Sequence, residues 1–227
     1  MKGRVFILTG EPPEKPGGLE HVVREMKRAL ENRGYIAEVL HRKNTAPQWV
    51  AEPNGKWQGF LADFFLSWYL GNQVGKRAGE DVVAVLSNGP LGWHLLGLPR
   101  SVKKIHFYHG TYRGQGEAIK PFISRAGAWK LKWWDSMVLE RWSGKSKIIL
   151  VNSDQTGGEV SKFFGFKSKT LGYPLDLQRF RPHDVVESRR SLGLPENKRI
   201  GIFVGSTEPT KGFPIVRRMI DELSEVE

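Results

Sequence analysis

The 227-residue chain carries 35 Lys/Arg against 24 Asp/Glu, a formal net charge of +11, with 39% hydrophobic residues and no cysteine. The lack of thiols excludes disulfides, thiolate metal sites and a cysteine nucleophile, the composition is globular rather than disordered, and the length calls for one domain plus a further piece. The basic excess points to an anionic partner and is concentrated, with ten Lys/Arg against three Asp/Glu in 101–150 but four against four in 51–100.

Short apolar runs alternate with segments of helical period. Arg4–Gly10 reads as a buried strand, followed by a Gly/Pro-rich loop from Glu11 to Gly18. Leu19, Val22, Val23, Met26 and Leu30 then recur at helical spacing, and Gly34 closes that helix. Ile36–His41 is a second strand, and after a polar loop Trp57 to about Arg77 predicts a long amphipathic helix. Asp81–Leu86 is a third strand ending in the turn Asn88-Gly89-Pro90, and Lys104–Tyr108 a fourth. A basic, aromatic segment follows, helical from about Glu117 to Trp142, then a fifth strand at Lys147–Asn152 and a helix ending at Gly165. Alternation of strands and helices predicts βαβ units and an α/β fold with a doubly wound, Rossmann-like parallel sheet.

Tyr173-Pro174-Leu175-Asp176 and Arg181-Pro182 interrupt this plan and read as a linker. Beyond it come a short helix (Val185–Leu192), an apolar strand Arg199–Gly205, a loop Ser206–Gly212 and a terminal helix. The expected organisation is therefore 1–172 as a Rossmann-like domain, 173–198 as hinge and linker helix, and 199–227 as the first βα unit of a second domain. A lone βα unit cannot bury both of its faces, so it is expected to dock on the first domain or to pair with a second copy. The apolar stretch at Val5–Leu8 is too short for a signal sequence, and that from Trp57 to Leu70 falls short of the roughly 20 residues of a membrane helix. A cytoplasmic location, peripheral on the inner membrane face, is the expectation.

The order of features resembles family-four retaining glycosyltransferases of the two-domain GT-B fold. The resemblance rests on Pro16-Gly17-Gly18-Leu19-Glu20 with its following helix and strand, on Val151-Asn152-Ser153, on the hinge Pro174 to Pro182, and on Phe203-Val204-Gly205 with Lys211-Gly212. It implies a hexosyltransferase-like enzyme acting on a nucleoside-diphosphate sugar and a glycan or lipid-linked acceptor, with retention at the anomeric carbon. It implies no cofactor and no metal, the nucleotide sugar being a substrate. This chain would be the acceptor-side domain plus the start of the donor domain, with little activity alone. Tyr173-Pro174 stands where that family usually has Asn-Gly, and Ser206 where it has a phosphate-binding arginine.

Sugar transfer builds negative charge on the diphosphate leaving group, which backbone N–H groups at a glycine-lined helix N-terminus can stabilise. Gly17 and Gly18 sit at such a turn, although any parallel βα turn tolerates glycines. Within the resemblance, Ser206 and Lys211 would meet the donor phosphates, Lys211 as a point charge. His109 directly follows a strand, where side chains reach the crevice in which ligands bind. The resemblance makes it the histidine lining the sugar site, the alternative being a packing role. Asn88 and Gly89, ending the neighbouring strand, are acceptor-side candidates. The remaining histidines have no comparable placement.

On a helix turning 100° per residue, Trp134, Val138 and Trp142 fall within about 60° of Leu131. Trp129, Trp133 and Met137 fall about 160–240° away, flanked by Lys130 and Lys132. The first face suits a core. The second, tryptophan beside lysine, suits an anionic membrane surface, unless sheet and neighbouring helix cover both. A non-catalytic module whose basic surface grips nucleic acid or a protein partner is the competing reading, although the address of the charge argues against nucleic acid.

Overall fold

A computed structural model of the chain describes residues 2–77, 79, 81–175, 177–178, 180–207 and 211–224, without the side chains of 56, 57 and 96. Asp176 and Arg179 of the hinge motif, residues 208–210 of the following loop and the last three residues lie outside the described set. The chain divides into two compact units, Met1–Pro174 and Leu175–Glu227.

In the first unit, β1 (Arg4–Leu8) leads through a loop into α1 (Gly18–Glu31) and β2 (Ile36–Leu40). The segment expected as a polar loop holds two short helices, α2 (Arg42–Thr45) and α3 (Gln48–Ala51), before the long α4 (Lys56–Arg77). β3 (Val82–Asn88) and β4 (Lys103–Tyr108) are joined through a 3-10 turn at Trp93–Gly97. All neighbouring strands pair in parallel, in the order β2-β1-β3-β4-β5-β6, with β5 at Ile148–Val151 and β6 at Lys169–Thr170. The expected α/β, Rossmann-like parallel sheet is what the chain forms. Because β1 is flanked by β2 and β3, the winding reverses there and opens a crevice at the carboxyl ends of β1 and β3, the topological switch point.

Alternation along β1 sends Phe6 and Leu8 to one side of the sheet. There they pack with Leu40 and Val85 and with Leu66, Leu70 and Val74 of α4. Val5 points the other way, into a groove of about 900 Å³ shared with Leu30 of α1 and with Ala84, Leu86 and Ile105. A second cluster joins Tyr108 and Val151 to Val160 and Phe164. The last two lie on α8 (Asp154–Phe164), which is capped by the Ser153 hydroxyl and closed by Gly165 at a φ of 76°. That positive φ is the reason for glycine at this position.

The single helix expected over 117–142 is instead four helical pieces, the first separated from the rest by a 3-10 turn containing Pro121. They are α5 (Tyr112–Ile119), α6 (Arg125–Trp129), a π-helical run Lys130–Glu140 and α7 (Arg141–Gly144). An i→i+5 ladder puts more residues in each turn than the 3.6 assumed above, so the expected faces rotate out of register. Met137, expected outward, packs on the Tyr108 cluster. Trp142, expected inward, is exposed. Trp134 does turn inward, its ring stacked on Phe60 at 4.7 Å and its Nε1–H donating to the Phe60 carbonyl.

The second unit holds α9 (Val185–Ser191), capped by Asp184, and α10 (Phe213–Ser224). The strand expected at 199–205 does not form. Among the described residues nothing pairs with it, and Ile202 and Val204 are 86% and 85% exposed. An apolar, β-branched run has strand propensity, but a strand exists only when a neighbour completes its ladder.

Candidate active site

Four carboxyl ends converge on the crevice: Leu8 of β1, Asn88 of β3, the His109 that follows β4, and the Asn152 that follows β5. The Asn88 amide nitrogen donates to the Leu8 carbonyl at 3.0 Å, bridging the two sides of the switch point. Its Oδ1 lies 2.8 Å from His109 Nε2. The other ring nitrogen, Nδ1, lies 2.9 Å from the Tyr173 hydroxyl. Asn152 Nδ2 donates both to that hydroxyl (3.1 Å) and to the His109 carbonyl (3.3 Å). The imidazole is held between Phe107, at 4.4 Å between centroids, and Tyr173, stacked at 5.6 Å. Burial holds the His109 pKa down to about 4, so the ring is neutral at physiological pH. Gly89, next to Asn88, turns the chain with a φ of 59°, a conformation open chiefly to glycine.

The loop after β1 brings Gly17 and Gly18 to the N-terminus of α1, which has no side-chain cap. A Cβ at Gly18 would meet nothing within 4 Å, whereas one at Gly17 would collide with the Glu20 carboxylate. Arg42 pins the start of the loop, its Nε reaching the Gly10 carbonyl at 2.9 Å and Glu11 Oε1 at 3.1 Å, and its guanidinium also meets Asp63 at 3.4 Å. Burial raises the Asp63 pKa despite that guanidinium.

Behind the site lies a set of buried acids that sequence reasoning missed. Glu140 accepts from the Tyr112 backbone N–H at 2.9 Å, and burial pushes its carboxyl well above the usual range. Asp135 is paired through both carboxylate oxygens with Lys130 Nζ at 2.8 Å. Lys130 is therefore spent on an interior carboxylate and is not one of the outward lysines expected beside the tryptophans. Trp129 and Trp133 are exposed, at 56% and 51%, and with Lys132, Lys120 and Arg113 line a cleft of about 180 Å³.

The first unit thus brings His109 and Asn88 into contact, with Gly89 adjacent and the Gly17-Gly18 turn on the same sheet edge. Ser206 and Lys211 belong to the second unit, where both are exposed. Tyr173 and Asn152 were visible only as a departure from the hinge pattern and as part of a strand-to-helix step; neither carried a chemical signal of its own. His106, fully buried and bonded to Ser87 Oγ at 2.8 Å, is structural.

A parallel α/β sheet with glycine-lined turns and a neutral histidine beside its switch point has the layout of a ligand-binding α/β protein. The family model for Glycosyltransferase Family 4 matches residues 16–172, and the chain belongs to that family. A D-inositol 3-phosphate glycosyltransferase of Segniliparus rotundus is 21% identical over 91% of this chain and 50% of its own length. TuaC of Bacillus subtilis, named for glycosyl transfer in teichuronic acid biosynthesis, is 28% identical over 51% of this chain and 28% of its own. D-inositol 3-phosphate glycosyltransferase 2 of Catenulispora acidiphila is 33% identical over 33% and 18%. The chain spans half or less of the length of these relatives. Among the described residues, no helix is long and apolar enough to cross a membrane.

Proposed function

We propose that this chain supplies the acceptor-side unit of a glycosyltransferase. That enzyme moves a sugar from a nucleoside-diphosphate donor to a glycan or lipid-linked acceptor, with retention at the anomeric carbon. The carrying observation is the His109 constellation at the switch point: a neutral imidazole, locked by Asn88 and Tyr173, facing the crevice beside the Gly17-Gly18 turn. A neutral ring can bond a sugar hydroxyl without competing for the diphosphate charge. In this reading the amides at Gly17 and Gly18 meet the donor phosphates, and Ser206 and Lys211 are phosphate-contact candidates of the second unit in their own right. The exposed Trp129 and Trp133 with Lys132 support a membrane-borne acceptor met at an anionic surface, on the cytoplasmic side.

The test is transfer of radiolabelled sugar from nucleoside-diphosphate donors to glycan and lipid-linked acceptors by the complete protein that carries this chain. His109→Ala should lower kcat/KM by at least about tenfold, as for the loss of an interaction made in the transition state. A folded variant with unchanged kcat/KM would remove His109 from the reaction.

A further inference from the structure

The proton positions around His109 follow from two groups that can only accept. The Leu8 carbonyl takes the Asn88 amide N–H, so Asn88 must present its Oδ1, not its nitrogen, to the imidazole. An amide oxygen only accepts, so His109 Nε2 carries the hydrogen. At the other end the His109 carbonyl takes an Asn152 N–H, which turns the Asn152 nitrogen toward the Tyr173 hydroxyl as well. The phenol oxygen therefore accepts from Asn152 and is left with its own proton to donate, and among the described residues the acceptor it meets is His109 Nδ1, 2.9 Å away. The bonds form one directed chain: Asn152 to Tyr173, Tyr173 to His109, His109 to Asn88, Asn88 to the Leu8 carbonyl.

We infer that Asn88 and Tyr173 are positioning residues that clamp His109 as the Nε2–H tautomer, so that the site offers a ligand an acceptor at Nδ1, a place the Tyr173 hydroxyl holds in this chain. Asn88 is 1% exposed and sets the polarity from inside. Tyr173 is 44% exposed and closes the outer side. The group that exchanges with Tyr173 must be a hydroxyl or amine N–H, not a carbonyl or carboxylate, because Nδ1 has a lone pair and no hydrogen. With the transfer reading above, on which this step rests, the exchanging group is a sugar hydroxyl. Burial, which lowers the His109 pKa, keeps the ring in the neutral form that such a tautomer requires.

Long-range 1H–15N correlation NMR of the imidazole nitrogens in this chain reads the tautomer without any assay of transfer. A failure of the transferase reading would leave the result standing. The unaltered chain should show His109 with Nε2 protonated and Nδ1 bare at pH 7. Tyr173→Phe keeps the ring stacked but deletes the hydroxyl. It should move the Nδ1 resonance, leave the tautomer unchanged because Asn88 still sets it, and raise the His109 pKa by about one unit, a tenfold change in its protonation equilibrium. A His109 protonated at Nδ1 in the unaltered chain would overturn the inference. So would a Tyr173→Phe variant with unchanged Nδ1 shift and pKa.

Discussion

Removing the ammonium from Lys130 tests whether the basic aromatic segment is held from inside. Lys130 Nζ contacts both oxygens of Asp135 at 2.8 Å, and the Asp135 side chain is 5% exposed while that of Lys130 is 35% exposed. Breaking a buried pair by deleting one partner costs about 3–5 kcal/mol, because the other charge stays interior. With Lys130 a third exposed, solvent screens part of this, and Lys130→Met should cost about 2–3 kcal/mol. For a unit of this size that is a fall in Tm of about 5–10 °C.

The deficit should depend on pH with a defined sign. Burial raises the folded pKa of Asp135 above its ordinary value even with Lys130 present, and losing Lys130 raises it further. A carboxyl whose folded pKa lies above the unfolded one opposes folding above the folded pKa, and that penalty fades as pH falls through it. Thermal melts followed by circular dichroism should therefore show the gap between Lys130→Met and the unaltered chain narrowing as pH is lowered. In Lys130→Met/Asp135→Leu, no unpaired charge remains, and much of the lost stability should return. A Lys130→Met variant melting within 1 °C or so of the unaltered chain would mean that solvent already satisfies Asp135 and that the pairing is incidental.

Trp129→Ser/Trp133→Ser should leave Tm nearly unchanged, since both rings are half exposed, yet weaken binding to anionic vesicles relative to neutral ones; unfolding by this pair of changes, or equal binding to both vesicle types, would reject the membrane reading. Burial and the nearby Lys104 lower the Lys147 pKa to about 7 from 10.5, so between those values the unfolded chain binds more protons and stability should rise with pH. Urea midpoints at pH 7 and 9.5 should show a contribution to that slope that disappears in Lys147→Met, and an unchanged slope would place Lys147 in solvent.

The sheet was legible because each of its first five strands is an apolar run long enough to mark itself, and the turns after all of them but β2 carry glycine or a capping serine. β6 was not, being two exposed residues, Lys169–Thr170, with no apolar pattern to show. The opposite error, at 199–205, has the same root. Ile200, Ile202 and Val204 alternate as a strand should, but pairing is supplied by a neighbour and not by the run itself. The rotated faces of 130–140 arise because a π ladder follows from tertiary packing around Asp135, Ser136 and Glu140, all buried, while the periodicity argument presumed 3.6 residues per turn. The placement of His109 could be read because a position one residue past a strand is itself information. Its partners could not: Asn88 lies 21 residues away, and Tyr173 64.

The formal charge of the 101–150 segment also meant something different from what its sum suggested. Lys130 is turned onto Asp135. Lys147 reaches the carbonyls of Gly92, at 2.9 Å, and Ser143. Lys104 reaches the Leu98 carbonyl at 2.8 Å, and Arg113 sits over the Phe163 ring at 4.6 Å. Three of the ten cations, these lysines, are thus committed to interior oxygens, and the field that an anionic surface would meet is weaker than +7 implies. The acids run the same way: Asp135 and Glu140 are buried, with pKa values raised by that burial, so part of the negative charge is also withdrawn from the surface. What remains outward beside Trp129 and Trp133 is local, Lys120 and Lys132 with the edge of Arg113. An attraction built from two lysines and an arginine at about 1 kcal/mol each holds a protein at a membrane only with the apolar contribution of the rings. The tryptophans, and not the charge count, therefore decide whether this face binds lipid.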